Sequence, residues 1–441
     1  MRRFGLAVLA ALALAALTSC ARELETDQAR LCRMAAPALS PPDAHVDIVA
    51  QSEDEDGRGV RVSFRANEEP HEAHCRFVHA GRPLRSAELE ALTLDSEPLS
   101  LPRLFFLVRF WLATPEGIAA DPAPFGRIDA LPRVPPGVAY ALQQTLNALP
   151  STAIYALLAA AYALIYGLIG RINLAFGALA AAGGYGAAFG AAMLAGAPPA
   201  YVLMSAGALG VAVAAGWGVA TGVFALSPLR NATGQQILVA TVGLAIFLSE
   251  ALRLTQGSRP NWVAPVLNAP FGVARAGDFV VTTSADALFS AAVALAAGSA
   301  LVAFLRLSDF GRRWRAYADD QLAAALFGVD PQAVLLQSLA LASALAGLAG
   351  FVMTMFYGAV GYDAAATLGL KALVAAILGG IGSVAGALIG GLLLGGFEAG
   401  WSAYFSADYR DVATYALLAI LLALRPGGLF GARENSGRRW A

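Results

Sequence analysis

Charge is scarce in this chain, histidine is confined to its first fifth, and lysine occurs once. Charged residues make up 14% of the 441 residues, where a soluble domain carries about a quarter. The only lysine, Lys371, follows Leu370, so the chain contains no Gly-Lys pair. A Walker A loop needs that pair to cradle phosphates, which excludes nucleotide hydrolysis of that kind on this chain. The net charge of −1 leaves no footprint for nucleic acid. The four histidines are His45, His71, His74 and His79, so the long apolar remainder holds none, which disfavours a membrane-embedded enzyme. No nucleophile–base constellation and no cofactor motif is present.

What fills the chain is apolar. Hydrophobic residues reach 58% and mean hydropathy is +0.61. Most of the charge lies before about residue 135, near 306–330, or at the C-terminus. Between those regions run apolar stretches of the roughly 20 residues that cross a bilayer. The 46 glycines suit helix packing in lipid, where small residues let backbones approach. The expected fold is an all-α polytopic membrane protein preceded by a small α+β periplasmic domain. About nine transmembrane helices are expected, near 150–170, 173–195, 200–226, 235–254, 284–305, 333–357, 367–381, 384–404 and 410–425, after an amphipathic stretch at 138–147. The seventh is short, and spanning and re-entrant readings stay open for it.

Arginines in short loops fix the orientation. Under this count Arg171, Arg230, Arg306, Arg312, Arg313, Arg315, Arg425, Arg433, Arg438 and Arg439 share the cytoplasmic side. Arg253, Arg259, Arg275 and Arg410 fall opposite, among Asp278, Asp408 and Asp411. An odd number of spans then puts the N-terminus outside and the C-terminus in the cytoplasm, in a tail at 433–441.

The N-terminus makes the same demand. Arg2 and Arg3 precede an apolar run that ends in Leu17-Thr18-Ser19-Cys20. The run is too short to span and reads as a signal peptide, residues 1–19. Its end resembles a bacterial lipobox, which implies lipidation of Cys20. Cys32 and Cys75 then remain as an even pair in an oxidising compartment and are expected to form a disulfide. His71-Glu72-Ala73-His74-Cys75 lacks the three-residue spacing of a zinc-protease motif and reads as a solvated turn, with no metal expected. Alternation at 45–50, 59–66 and 75–78 predicts strands. Residues 104–112 read as a core element or as an interfacial helix with Trp111 at headgroup level. Residues 21–120 form the expected periplasmic domain, 121–137 a Pro-rich linker, and 138–432 the membrane domain.

Two Gly-rich segments stand at span-to-span turns: Tyr166-Gly167-Leu168-Ile169-Gly170-Arg171-Ile172-Asn173-Leu174-Ala175-Phe176-Gly177, and Lys371 through Ala387 with Gly379-Gly380-Ile381-Gly382-Ser383. Gly-interrupted helices in two halves point to a transport pathway, and close packing of small residues explains them equally well. With the terminal Leu424-Arg425-Pro426-Gly427-Gly428-Leu429-Phe430-Gly431, these segments resemble the branched-chain amino-acid ABC transporter permease family, LivH type. The resemblance covers about 138–432. It implies a membrane permease without chemistry of its own, in the bacterial inner membrane. Implied partners are two cytoplasmic ABC ATPase subunits, a second identical or homologous permease and a periplasmic solute-binding protein. Branched-chain amino acids are the implied cargo, with urea, short amides and other amino acids left open. A secondary transporter driven by an ion gradient is the alternative of another class, but it needs intramembrane ion ligands, which are few here. The resemblance further implies that Arg312–Asp330 is a coupling helix that docks on the ATPase, with Arg315, Asp319, Asp320, Ala324 and Gly328 as its candidates.

Charges inside spans are costly and mark pathways by default. Lys371 and Glu398 are candidates for this reason, together with Asn173, Gly177, Gly379, Gly380, Gly382 and Ser383 from the Gly-rich turns. Glu250 lies nearer a span end. Snorkelling toward the outer face is the alternative reading of Lys371.

Overall fold

The structure is a computed structural model. It describes residues 28–430 apart from 42–43, 54–58, 68, 79–88, 113, 115–116, 118–119, 123–130, 230–231, 264–265, 268–269, 278 and 381. The signal-peptide expectation at 1–19, the lipidation expectation at Cys20 and the tail at 433–441 therefore lie outside the described residues. The chain divides into two compact units. One draws its described residues from Met1–Tyr140, Gly196–Ala200 and Ala269–Ala285; the other from Ala141–Ala195, Tyr201–Asn268 and Asp286–Ala441.

The first unit is built on an antiparallel sheet, β1 (Val46–Glu53), β2 (Gly59–Ala66), β3 (Glu69–Phe77), β4 (Leu89–Leu94) and β5 (Glu97–Pro98), paired in sequence order. Helical residues 28–39 (α1) and Leu101–Phe110 (α2) complete it. Strand alternation sends Val60, Val62 and Phe64 inward beside Ala73, Cys75 and Leu92, against Cys32, Ala35 and Ala36 of α1. The sulfurs of Cys32 and Cys75 are bonded, tying α1 to β3. Arg33 donates from Nε and Nη2 to the two carboxylate oxygens of Asp121, each at 3.1 Å, with both side chains buried. Asp121 thus belongs to the folded unit, although composition groups it with the linker. The bridged loop of 43 residues is worth about 4 kcal/mol in the chain-entropy model. A Cys32→Ser/Cys75→Ser variant is expected to expose residues 28–121 to limited proteolysis much faster than the parent; unchanged cleavage would contradict the estimate.

One expectation changes here. His71 to Cys75 is strand, not a solvated turn. Small Ala73 hides the alternation that Cys75 and Phe77 continue. His71 and His74 project from opposite faces of β3, as residues three apart on a strand must, and the His71 ring meets Asp95 at 2.7 Å. The indole of Trp111 is held by the domain itself. Its Nε1 donates to the Met34 carbonyl at 2.8 Å, which fastens the end of α2 to α1. The hairpin β6 (Pro270–Ala276)/β7 (Phe279–Ser284) belongs to the same unit. It gains a short parallel neighbour from the end of the Pro-rich stretch, through Val134 N–H to Arg275 O and Arg275 N–H to Pro132 O.

The second unit is helical. Seven helices among the described residues are long and apolar enough to cross a membrane: α3 (Pro136–Ile169), α4 (Phe176–Met193), α5 (Pro199–Thr221, continued by a π-turn to Leu226), α6 (Gly234–Gln256), α7 (Ala285–Leu307), α10 (Pro331–Tyr357) and α12 (Val384–Tyr404). Two shorter helices, α11 (Ala364–Gly379) and α13 (Arg410–Leu424), occupy the remaining expected spans. Asp309–Asp319 (α8) and Gln321–Leu326 (α9) fill the charged loop. The expected amphipathic stretch at 138–147 and the first span form one continuous 34-residue helix that runs through Pro150. Proline removes one backbone hydrogen bond there without ending the helix.

Most of α3, α4 and α10 is buried, whereas most of α6 and α7 is not. Without a hydrophobic drive between helices in lipid, van der Waals contact holds such a core, and small residues allow it. The α4–α10 contact is one of the close cases: a Cβ on Gly350 would lie 2.0 Å from the Ala180 carbonyl oxygen. Gly350→Leu must push the two helices apart and is expected to destabilise the protein by at least the ~1–3 kcal/mol of an overpacked core. A thermal unfolding midpoint equal to the parent's would contradict this packing.

Candidate functional site

The sequence candidates gather at two places in the helical unit. The first is a buried charge cluster. Lys371 on α11 lies 2.9 Å by Nζ from Glu398 Oε1 on α12 and 2.7 Å from Asp411 Oδ1 at the start of α13. Both Lys371 and Glu398 are buried, while Asp411 is half exposed. Tyr155 of α3 donates to Glu398 Oε2 at 2.8 Å, and Thr414 of α13 donates to Glu398 Oε1 at 3.1 Å. Both carboxylate oxygens of Glu398 are therefore engaged. This matters because a charge in low dielectric is tolerated only when it is paired and hydrogen-bonded. Lys371 does not snorkel; its ammonium turns into the protein and ties three helices. Glu250 behaves differently, pairing with Arg253 one turn away at 2.6 Å in a partly exposed position.

The second place is the turn between α11 and α12. Gly380 and Gly382 have φ of +108° and +95°, a region open to glycine. Ser383 caps α12 by accepting from Gly386 N–H at 3.1 Å. The terminal motif folds back on this turn: Leu429 and Phe430 donate their N–H groups to the carbonyls of Leu378 and Gly379. The first Gly-rich segment meets this turn at Gly167, where an added Cβ would lie 3.7 Å from the Gly382 carbonyl oxygen, while its later residues, toward Gly177, pack on the start of α11. Asn173 Oδ1 accepts from Ala175 N–H at 3.0 Å and shapes the entry to α4. Gly177 lies so close to α11 that a Cβ there would stand 1.9 Å from the Ala365 carbonyl oxygen. A Cβ on Gly379 would stand 2.1 Å from the Gly386 carbonyl oxygen. The glycines at 177 and 379 are thus close-packing positions, and those at 380 and 382 are turn positions.

Trp314 joins these pieces. It is buried on α8, and its ring edge would touch a Cβ placed on Gly167 at 3.0 Å. Trp314 also lines a small groove of about 150 Å³ with Arg306, Arg315, Gly382 and Ala385. Gln321 Nε2 donates to the Leu168 carbonyl at 3.1 Å, and Arg315 donates to the Leu305 carbonyl. The charged loop is therefore anchored beneath both Gly-rich turns. Ser308 caps α8, and Asp320 caps α9 by accepting from Ala323 N–H at 2.9 Å. Ala324 is buried, Asp319 is exposed, and Gly328 closes the segment with φ +83°. Beside the exposed charges of Arg312, Arg313 and Asp319 stands an apolar tip: Leu322, Leu326 and Phe327 are 74%, 81% and 90% exposed. The two places lie well apart, since Glu398 follows Ser383 by fifteen helical residues, roughly 22 Å.

Sequence reasoning named Lys371 and Glu398 but missed their partners Tyr155, Asp411 and Thr414, which are distant in the chain and carry no local signal. It also passed over Trp314 and the exposed apolar trio. The i, i+4 pair Phe310–Trp314 on an otherwise charged helix was a readable sign of one buried edge.

Residues 144–422 match a family described as the branched-chain amino acid transport system permease component. Among curated relatives, the high-affinity branched-chain amino acid transport system permease proteins LivH of Salmonella typhimurium and of Escherichia coli are each 36% identical over 300 residues, 67% of this chain and 97% of theirs. BraD of Pseudomonas aeruginosa, of the same description, is 33% identical over 305 residues, 68% of this chain and 98% of its own. No solved structure matches the chain.

Proposed function

The chain belongs to the branched-chain amino-acid transport permease family, and on that premise we propose that it is the membrane-spanning subunit of an ABC importer for branched-chain amino acids. ATP is hydrolysed on two separate cytoplasmic subunits, since this chain has no Gly-Lys pair. A second permease subunit, identical or homologous, completes the pathway, and a periplasmic binding protein delivers the solute. The protein lies in the bacterial inner membrane, with residues 21–120 in the periplasm, 121–137 as their connection, and the C-terminus in the cytoplasm. Cys20 carries the lipid anchor of the N-terminal domain.

The observation that carries this reading is the anchored loop. Its α8 edge sits under the two Gly-rich turns, while Leu322, Leu326 and Phe327 stay exposed. A rigid segment with an apolar tip transmits a push from a docked ATPase to the helices above it as a rigid-body movement. Arg315, Asp320, Ala324 and Gly328 build the segment, Asp319 faces outward with the tip, and Trp314 is its lever on the turns. Gly379, Gly380, Gly382 and Ser383 form the joint that the lever moves, and Asn173 and Gly177 fit the entry of α4 against the start of α11. Lys371 and Glu398 clamp α11, α12 and α13 at the far end of the same helices and belong to the wall that must rearrange as the pathway alternates. A cysteine in place of Phe327 should cross-link to the ATPase subunit in the assembled importer, while one in place of Phe247 on lipid-facing α6 should not. Cross-linking at neither position would count against the coupling role.

A further inference from the structure

The helix α2 has no face suited to water. Its ten residues, Leu101-Pro102-Arg103-Leu104-Phe105-Phe106-Leu107-Val108-Arg109-Phe110, include two charges, both positive. Leu104 and Leu107 are buried in the sheet domain. Apart from Arg103 and Arg109, the rest of the circumference is apolar and open: Leu101 is 79% exposed, and Phe105, Phe106 and Phe110 are about 60% exposed. The three phenylalanines touch one another, with ring centroids 5.5–6.4 Å apart. A groove of about 510 Å³ opens beside them between Leu39, Leu94, Leu99, Arg103, Phe106 and Phe110. Contiguous exposed apolar surface of this kind marks an interaction site.

We propose that α2 seats the N-terminal domain on the bilayer surface, its phenylalanines in the headgroup–acyl boundary and Arg103 and Arg109 on lipid phosphates. Three observations favour lipid over a protein partner. First, the exposed face combines phenylalanine, leucine and arginine with no acidic residue, the composition of helices that lie in the membrane interface. Second, among the described residues neither Arg103 nor Arg109 forms an ion pair, so both are available to anions; their aliphatic stems can follow the apolar face while their heads reach phosphate. Third, the domain precedes a membrane-length helix, α3, in the same chain, so it is tethered to a bilayer wherever that helix is inserted.

The test uses the full chain in nanodiscs holding equal amounts of an anionic and a zwitterionic phospholipid. The photoreactive analogue p-benzoylphenylalanine replaces Phe105 or Phe106, exposed positions where it adds little bulk to the fold, and replaces Arg65 on the sheet as a control. Irradiation should give phospholipid adducts at 105 and 106 and none at 65. The adducts should favour the anionic lipid severalfold, and Arg103→Gln/Arg109→Gln should abolish that preference while leaving the adducts. Adducts to a protein, or no lipid adduct at 105 and 106, would overturn the proposal. Adducts without lipid preference would overturn the role given to the arginines.

Discussion

Replacing Lys371 with methionine is expected to lower the thermal stability of the detergent-solubilised protein more than any other single charge removal in the helical unit. The substitution leaves Glu398 buried beside Tyr155 and Thr414 with no cation. An uncompensated buried charge of that kind costs about 3–5 kcal/mol. Glutamine at 398 can accept from one of the Tyr155 and Thr414 hydroxyls and donate to the other, without the charge, so Lys371→Met/Glu398→Gln should regain most of the lost stability. That recovery separates a charge effect from a simple packing defect. If Lys371→Met unfolds at the parent's midpoint, the cluster is not the clamp described here. Uptake should remain low in the stable double variant, because its helices are held by neutral contacts that no longer exchange partners.

Placing aspartate at both Leu326 and Phe327 should leave folding untouched and abolish transport. Both side chains are almost wholly exposed, and surface substitutions of this kind stay within about 0.5 kcal/mol of neutral. At an interface the same positions act as apolar anchors, whose loss costs 2 kcal/mol or more, about thirtyfold in affinity. The ATPase should no longer co-purify, although the permease melts normally. Full transport and ATPase retention in this variant would remove the tip of α9 from the coupling contact. Trp314→Ala should behave differently: ATPase stays bound while uptake falls, since the tip is intact and the lever is gone.

The two outcomes rest on features that differ in how far the sequence reveals them. The span from Val384 to Tyr404 coincides with the residues expected from hydropathy, because Ser383 caps it and apolar residues fill it. The first span begins fourteen residues earlier than expected, at Pro136. There Pro150 and the polar Gln143, Gln144 and Asn147 suggest a break that a continuous helix tolerates. In the N-terminal domain, β2 was legible from its alternation, while the first half of β3 was hidden by Glu69, Glu72 and Ala73. The ionic cluster shows the limit most clearly. Lys371 and Glu398 are conspicuous as charges in apolar runs, yet nothing in their spacing says that they meet, since the pairing depends on how α11, α12 and α13 pack. The Gly-rich motifs were visible as strings, but their convergence with Trp314 and the terminal Leu429-Phe430 is a tertiary fact. Their glycines fall into two classes only in three dimensions, close approach at 177 and 379 and positive φ at 380 and 382.

The central claim is that this chain moves its solute only when ATP is hydrolysed by another subunit. The direct measurement is uptake of radiolabelled leucine into proteoliposomes that contain the chain, with the candidate second permease, ATPases and binding protein supplied or withheld. Accumulation is expected with the complete set and ATP, and none when either the ATPases or the nucleotide is missing. Accumulation by the chain without ATPases, driven by a proton or sodium gradient, would contradict it.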